Sequence, residues 1–279
     1  MKRIAVLGSG LLGGSMALAV QARLPEVSVA LWGRRQQGVD DARKMGIKYA
    51  STDLGEVLEG VDMIVLASPV GAMSEILQSC MSVCSLEGVL VTDVGSVKAV
   101  PRDKLRPIVA QAGAKYIGSH PMAGSEQAGV ASAREDLFEG AACFITNDWM
   151  WPDEDVSAVR RVWQGIGCQC YMASSEEHDK VMARISHLPH MLASVGALVG
   201  LKVPDNGKFA GNGMRDTTRV ASGHPGMWAE IFLSNKDSLK EPIEEAIAYL
   251  REMLALMNDS SDEAIVALLE KAKRLRDDL

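Results

Sequence analysis

Residues 120–126 read His-Pro-Met-Ala-Gly-Ser-Glu, a set of types that can move a proton beside a closely held ligand. An imidazole such as that of His120 takes up and releases protons near neutral pH. Pro121 stiffens the chain beside it, Gly124 admits close backbone approach, and Ser125 and Glu126 offer polar lining. At the amino terminus, Gly8, Gly10 and Gly13 form a Gly-x-Gly-x-x-Gly loop directly after a short apolar run. In such a loop the first glycine permits the tight turn, the second lets the backbone approach a pyrophosphate, and the third lets the next helix pack against the sheet. The open N–H groups at that helix start favour phosphate. The spacing predicts a dinucleotide site that includes Gly8, Gly10, Leu11, Leu12 and Gly13, with Ser68 and Pro69 from a later strand end. A nucleotide-linked redox reaction with proton transfer is the chemistry implied.

The end of the second strand bears on which dinucleotide binds. A carboxylate there, about 20 residues after the glycines, binds the ribose 2′-hydroxyl of NAD. This chain reads Trp32-Gly33-Arg34-Arg35, and its next acids are Asp40 and Asp41. Arginine forks favour a 2′-phosphate, so Arg34 and Arg35 predict NADP in preference to NAD. Solvated arginines with NAD as cofactor are the alternative.

These groups need a scaffold. Residues 3–7, 27–32, 62–67 and 88–93 are continuous apolar runs, and helical spacing lies between them at 11–23, 36–45, 53–59, 71–83 and 97–112. Such alternation predicts an α/β fold with a doubly wound parallel sheet covered on both faces. Residues 114–118, 141–146 and 168–172 read as later strands, with a helix at 153–165. Beyond Ser174 the pattern turns helical, at 175–200, 226–257 and 260–277. A domain boundary is therefore expected near 173, giving domains 1–173 and 174–279. Met191 to Leu201 is apolar nearly all round, so it should be buried in a core or against another subunit. The loop at 203–213 carries Pro204 and three glycines.

The chain has 279 residues, 47% hydrophobic and 23% charged, with a net charge of -7. That acidity argues against nucleic acid and anionic membranes as partners. No apolar stretch reaches the length of about 20 residues that a membrane span needs. The five cysteines form no Cys-x-x-Cys pair and read as reduced thiols of a cytoplasmic protein.

Four segments look chemical: Asp93-Val94-Gly95-Ser96-Val97-Lys98, His120 to Glu126, Ser186-His187-Leu188-Pro189-His190, and Arg215-Asp216-Thr217-Thr218-Arg219. With the glycine loop and Trp228, their order resembles the prephenate/arogenate dehydrogenase family of tyrosine biosynthesis across nearly the whole chain. The resemblance implies a Rossmann-type domain followed by an all-helical dimerisation domain, and a homodimer. It implies oxidation of a cyclohexadienol: hydride leaves C4 for NAD(P)+, the 4-hydroxyl loses its proton, and the ring carboxylate departs as CO₂. By the same resemblance His120 is the proton acceptor, and Ser96 orients it and touches the hydroxyl. Arg219 grips the ring carboxylate, and His190 lines the substrate pocket. Ser125, Glu126 and Arg215 complete the substrate-binding set.

Other roles stay open at several of these residues. Ser96 could cap the following helix. Arg215 could pair with a nearby acid, and Lys98 could act electrostatically or be a solvated helix lysine. Trp228 could be core or pocket. His187 and His190 stand three apart, yet no third ligand has suitable spacing and Pro189 intervenes, so no metal is expected. Prephenate is favoured over arogenate. Another two-domain hydroxyacid or imine dehydrogenase, or an NADP-sensing protein without catalysis, would leave several of these segments without a task. The chain ends soon after the helical region, so no further regulatory domain and no fused chorismate mutase are expected. Tyrosine inhibition would then act at the active site.

Overall fold

The computed structural model describes residues 1–279 apart from 125, 126, 128 and 204. Ser125 and Glu126, expected in the pocket, and Pro204 thus lie outside the described residues. Six strands form one sheet: β1 (Arg3–Leu7), β2 (Ser28–Trp32), β3 (Ala50–Ser51), β4 (Met63–Leu66), β5 (Leu90–Asp93) and β6 (Lys115–Tyr116). Their order is β3-β2-β1-β4-β5-β6, and every pairing is parallel. Helices α1 (Leu11–Arg23), α2 (Gln36–Lys44), α3 (Leu54–Leu58), α4 (Val70–Val83) and α5 (Ala99–Ala112) make the connections. Successive residues of β1 feed opposite cores: Ile4 and Val6 join one apolar cluster, Ala5 and Leu7 the other. This is why the strands read as unbroken apolar runs rather than alternating ones.

The expected strand at 114–118 divides. After β6 the chain leaves the main sheet and forms β7 (Gly118–Pro121) in a second sheet with β8 (Ala142–Thr146) and β9 (Gln169–Met172). β7 pairs antiparallel with β8, and β8 pairs parallel with β9, with α6 (Asp153–Gly165) between those two in sequence. Gly118 sits at the change of sheet, where a Cβ would press on Thr146 Oγ1 and the Tyr116 hydroxyl.

From Ser175 onward the described elements are helical: α7 (Ser175–Met182), α8 (Leu188–Gly200), α9 (Asn212–Thr218), α10 (Pro225–Ser234), α11 (Lys236–Asn258) and α12 (Asp262–Asp277). A capping box fixes the start of α7, with Ser174 and Glu177 bonding each other's backbone N–H. The long helix expected at 175–200 is interrupted by a π-helical turn, Ala183–His187. Pro189 has no N–H to continue the regular ladder, and the Leu188 N–H reaches back five residues to the Ala183 carbonyl. The helix expected at 226–257 breaks at Asn235, whose backbone leaves the helical region while its side chain turns inward. By compactness the chain divides into residues 1–235 and 236–279. In the second unit α11 and α12 pack on each other. None of the helices, among the described residues, is long and apolar enough to cross a membrane.

α8 does not find the burial its composition demands within this chain. Leu198 is 72% exposed and Val199 73%, and Phe209 on the next turn is 85% exposed.

Candidate active site

The glycine loop has the geometry its spacing predicts. Gly8 follows β1 with φ +142°, and a Cβ there would collide with the Ala67 carbonyl at the end of β4. A Cβ at Gly13 would collide with the Gly8 carbonyl, so both positions require glycine. Gly10 precedes α1 without any side-chain cap, and the first turn of α1 carries no acidic residue. Its N–H groups, over Leu11 and Leu12, are left for an anion. This loop and Ser68-Pro69 meet between β1 and β4, where the strand order reverses and doubly wound sheets bind nucleotides. Arg34 and Arg35 stand exposed beyond β2. Asp40 and Asp41 are engaged on α2 by Gln36 and Gln37, four residues back. Across the loop, Glu230 of α10 accepts the Gly71 N–H at the start of α4.

His120 lies within β7, opposite Phe144, rather than after a strand of the main sheet. It is buried, and its Nδ1 is 2.8 Å from His178 Nε2. His178 Nδ1 is in turn 2.8 Å from Asp179 Oδ1. A carboxylate only accepts, so the hydrogen-bond network assigns the His178 proton to Nδ1 and leaves Nε2 as an acceptor. His120 must then donate from Nδ1, which leaves its own Nε2 as a lone pair. Asp179 is fixed from the other side by the Lys98 and Ala99 N–H groups at 2.8 and 3.0 Å, at the start of α5. It therefore supplies the cap for α5, a role that the sequence left open to Ser96. Burial, followed by the nearby His178, Lys98 and His187, pushes the His120 pKa well below 6.5. The imidazole is uncharged at neutral pH, as a proton acceptor must be.

A second group of rings faces this relay. Asn235 donates from Nδ2 to the Asp179 carbonyl at 2.7 Å and stands 3.0 Å from His187 Nδ1. Burial lowers the His187 pKa from 6.5 to about 4. One turn on, His190 stacks on Trp228 with ring centroids 3.5 Å apart and planes within 13°. Gly223 makes that stack possible, since a Cβ would strike the Trp228 ring. His190 Nδ1 is buried with no hydrogen-bond partner among the described residues. Arg219 opens a 3-10 turn, Arg219–Ser222, that packs on α8; Arg215 sits one turn earlier on α9, and both side chains are exposed.

Two family models match the chain, "Prephenate dehydrogenase, nucleotide-binding domain" over residues 16–172 and "Prephenate dehydrogenase, dimerization domain" over residues 174–271. The chain belongs to the prephenate dehydrogenase family. A prephenate dehydrogenase of Lactococcus lactis is 31% identical, covering 99% of this chain and 77% of that protein. A cyclohexadienyl dehydrogenase of Zymomonas mobilis is 28% identical, covering 99% and 95%. The crystal structure of prephenate dehydrogenase from A. aeolicus in complex with hydroxyphenyl propionate and NAD+ superposes with a TM-score of 0.90 at 30% identity, covering 100% of this chain and 98% of that one. As a prephenate dehydrogenase family member, the chain is an NAD(P)-dependent oxidoreductase of tyrosine biosynthesis.

Several expectations need correction within that family frame. Ser96 makes no hydrogen bond to His120; it stays half-buried in the loop after β5, and His178 does the orienting. Ser96 does not cap α5 either, because the N-terminal position is Lys98 and the acceptor is Asp179. Lys98 is not a solvated helix lysine, since it is fully buried. Trp228 packs against the apolar cluster, as its core reading expects, and stacks on His190.

Sequence reasoning missed His178, Asp179, Asn235 and Glu230. A signal for the first two was present. The capping box at Ser174 and Glu177 fixes where α7 begins, which puts an adjacent His-Asp pair in its opening turns. Asn235 and Glu230 lie inside the stretch expected as one helix at 226–257, with nothing local to mark them.

Proposed function

We propose that this chain converts prephenate to 4-hydroxyphenylpyruvate, with His120 as the base that takes the proton of the ring hydroxyl. The observation that carries this reading is the His120–His178–Asp179 relay, which leaves an uncharged imidazole with its lone pair on Nε2. The oxidised nicotinamide supplies the hydride acceptor when bound. His120 removes the hydroxyl proton as hydride leaves the same carbon, and loss of the ring carboxylate as CO₂ completes an aromatic ring. A positioned base of this kind is worth about 10²–10⁴ in rate.

Arg219 is assigned to the ring carboxylate, with Arg215 assisting, because a planar fork binds a carboxylate bidentately. His190, whose buried Nδ1 has no partner among the described residues, lines the pocket wall. Ser96 reaches the hydroxyl from the loop after β5, and Ser125 and Glu126 complete the pocket. The cofactor set is Gly8, Gly10, Leu11, Leu12, Gly13, Ser68, Pro69, Arg34 and Arg35. NADP is preferred, because arginines rather than a carboxylate follow β2.

Residues 1–173 form the nucleotide domain and 174–279 the substrate and dimerisation domain. The exposed apolar face of α8 supports a homodimer closed through the latter. Five free cysteines fit a reducing, cytoplasmic setting. Absorbance at 340 nm with NAD+ or NADP+, each crossed with prephenate and arogenate, tests both choices. Faster reduction of NADP+ with prephenate is expected; no reduced cofactor with either substrate overturns the reading. Arogenate as the better substrate would mean that the pocket reads the side-chain amine.

A further inference from the structure

Directly beneath the catalytic strand lies a buried cation that the relay does not use. Lys98 is 0% exposed, as is its partner Asp93. Its Nζ bonds Asp93 Oδ2 and donates to the Ser119 carbonyl at 2.6 Å. That carbonyl belongs to the peptide that joins Ser119 to His120. The remaining polar groups of Ser119 are held as well. Its N–H donates to Asp93 Oδ1 at 3.2 Å, and its hydroxyl takes the Trp163 indole N–H at 2.9 Å and lies 2.8 Å from Thr92 Oγ1. The Tyr116 hydroxyl and the Gly95 N–H, both at 2.9 Å, complete the Asp93 shell. Gly118 gives the lysine stem room, since a Cβ there would lie 3.3 Å from Lys98 Cδ.

A structural need alone does not call for such a pair. Desolvating two ions costs several kcal/mol, and apolar replacements of buried pairs are often neutral or stabilising. What a charge supplies here is a field. The charged and titratable groups around His120 are Asp93 from the end of β5, Lys98 from the start of α5, Tyr116 from β6, His178 and Asp179 from α7, and His187 from the π-turn. Tyr116 is neutral, since burial and Asp93 push its pKa well above 10. Asp179 is spent on His178 and the start of α5. Lys98 is thus the one permanent charge among the groups that disfavour a proton on His120.

We propose that Lys98 is a positioning residue for His120: its ammonium pins the Ser119 carbonyl and keeps a second positive charge off the imidazole. The inference rests on His120 being the base, and its test does not depend on the substrate. Lys98→Met keeps the stem and removes the charge. Asp93→Asn with Lys98→Met leaves no unpaired charge behind. The readout is the NMR titration of the His120 ring in the full chain without substrate, assigned against His120→Asn. In Lys98→Met the titration midpoint should rise by about one pH unit or more, a tenfold change in the protonated fraction, and in the uncharged double variant it should rise by less, because the opposing Asp93 charge goes too. The acid limb of kcat/KM should move with it in a chain that turns over. A wild-type midpoint in either folded variant overturns the proposal. So does failure of the uncharged double variant to fold, because Lys98 would then serve the core rather than the base. A chain inactive on both substrates would defeat the proposed reaction and leave this titration to be read on its own.

Discussion

His178→Phe isolates the relay from the base it serves. The ring slot is aromatic on two sides: His178 meets His120 edge-on at 5.0 Å and Phe144 at 5.2 Å, so a phenyl ring keeps the aromatic character of both contacts. Asp179 keeps the Lys98 and Ala99 N–H groups, and α5 stays capped. What is lost is the acceptor 2.8 Å from His120 Nδ1. A buried donor without its partner costs about 1–3 kcal/mol. His120 escapes that cost by moving its proton to Nε2 or by rotating, and either move removes the lone pair from the hydroxyl. At about 1.4 kcal/mol per tenfold, kcat should fall about 5- to 150-fold. That is less than the loss expected on removing the base. Initial rates at 340 nm under saturation should show the fall in kcat with KM changed less than about threefold. A folded variant that keeps kcat within a factor of about two, or that loses only in KM, would refute the assignment of proton positions along the relay.

His120→Asn should lower turnover by about 10²–10⁴ and leave nucleotide affinity unchanged by fluorescence titration. Arg219→Ala should act on binding: a charge-assisted hydrogen bond to the carboxylate worth about 2 kcal/mol predicts a KM raised roughly 30-fold, and an unchanged KM would remove Arg219 from the carboxylate. Acid should destabilise the fold, because burial lowers the pKa of His120, His178, His187 and His190 below the unfolded value. Below pH 6.5 the unfolded chain binds more protons, so stability present above 6.5 is lost as the pH falls toward the folded values. For His187 alone, the drop from 6.5 to about 4 is worth about 3 kcal/mol. Melting temperatures should therefore fall steeply between pH 6.5 and 4, and a flat profile would contradict the buried neutral imidazoles.

The main sheet was legible because both its faces are covered, which makes each strand an apolar block bounded by glycine or polar residues. The glycine loop was legible for a similar reason: Gly8 and Gly13 tolerate no other residue, so the backbone demand is written directly into the chain. The second sheet was not, since β7 is four residues long and begins at a close approach between Gly118, Thr146 and Tyr116 that only the folded chain creates. His120 was legible from its motif, but its partner was not. His178 lies 58 positions away, and its role depends on α7 being seated against α5. Local pattern reports periodicity and caps. It does not report which carboxylate turns across to the start of another helix.

One carboxylate has two duties, since Asp179 both closes the amino end of α5 and sets the proton on His178. The start of α5 and the proton position on the relay are therefore set together: a change that pulls α7 away from α5 uncaps that helix and releases the His178 tautomer in one step.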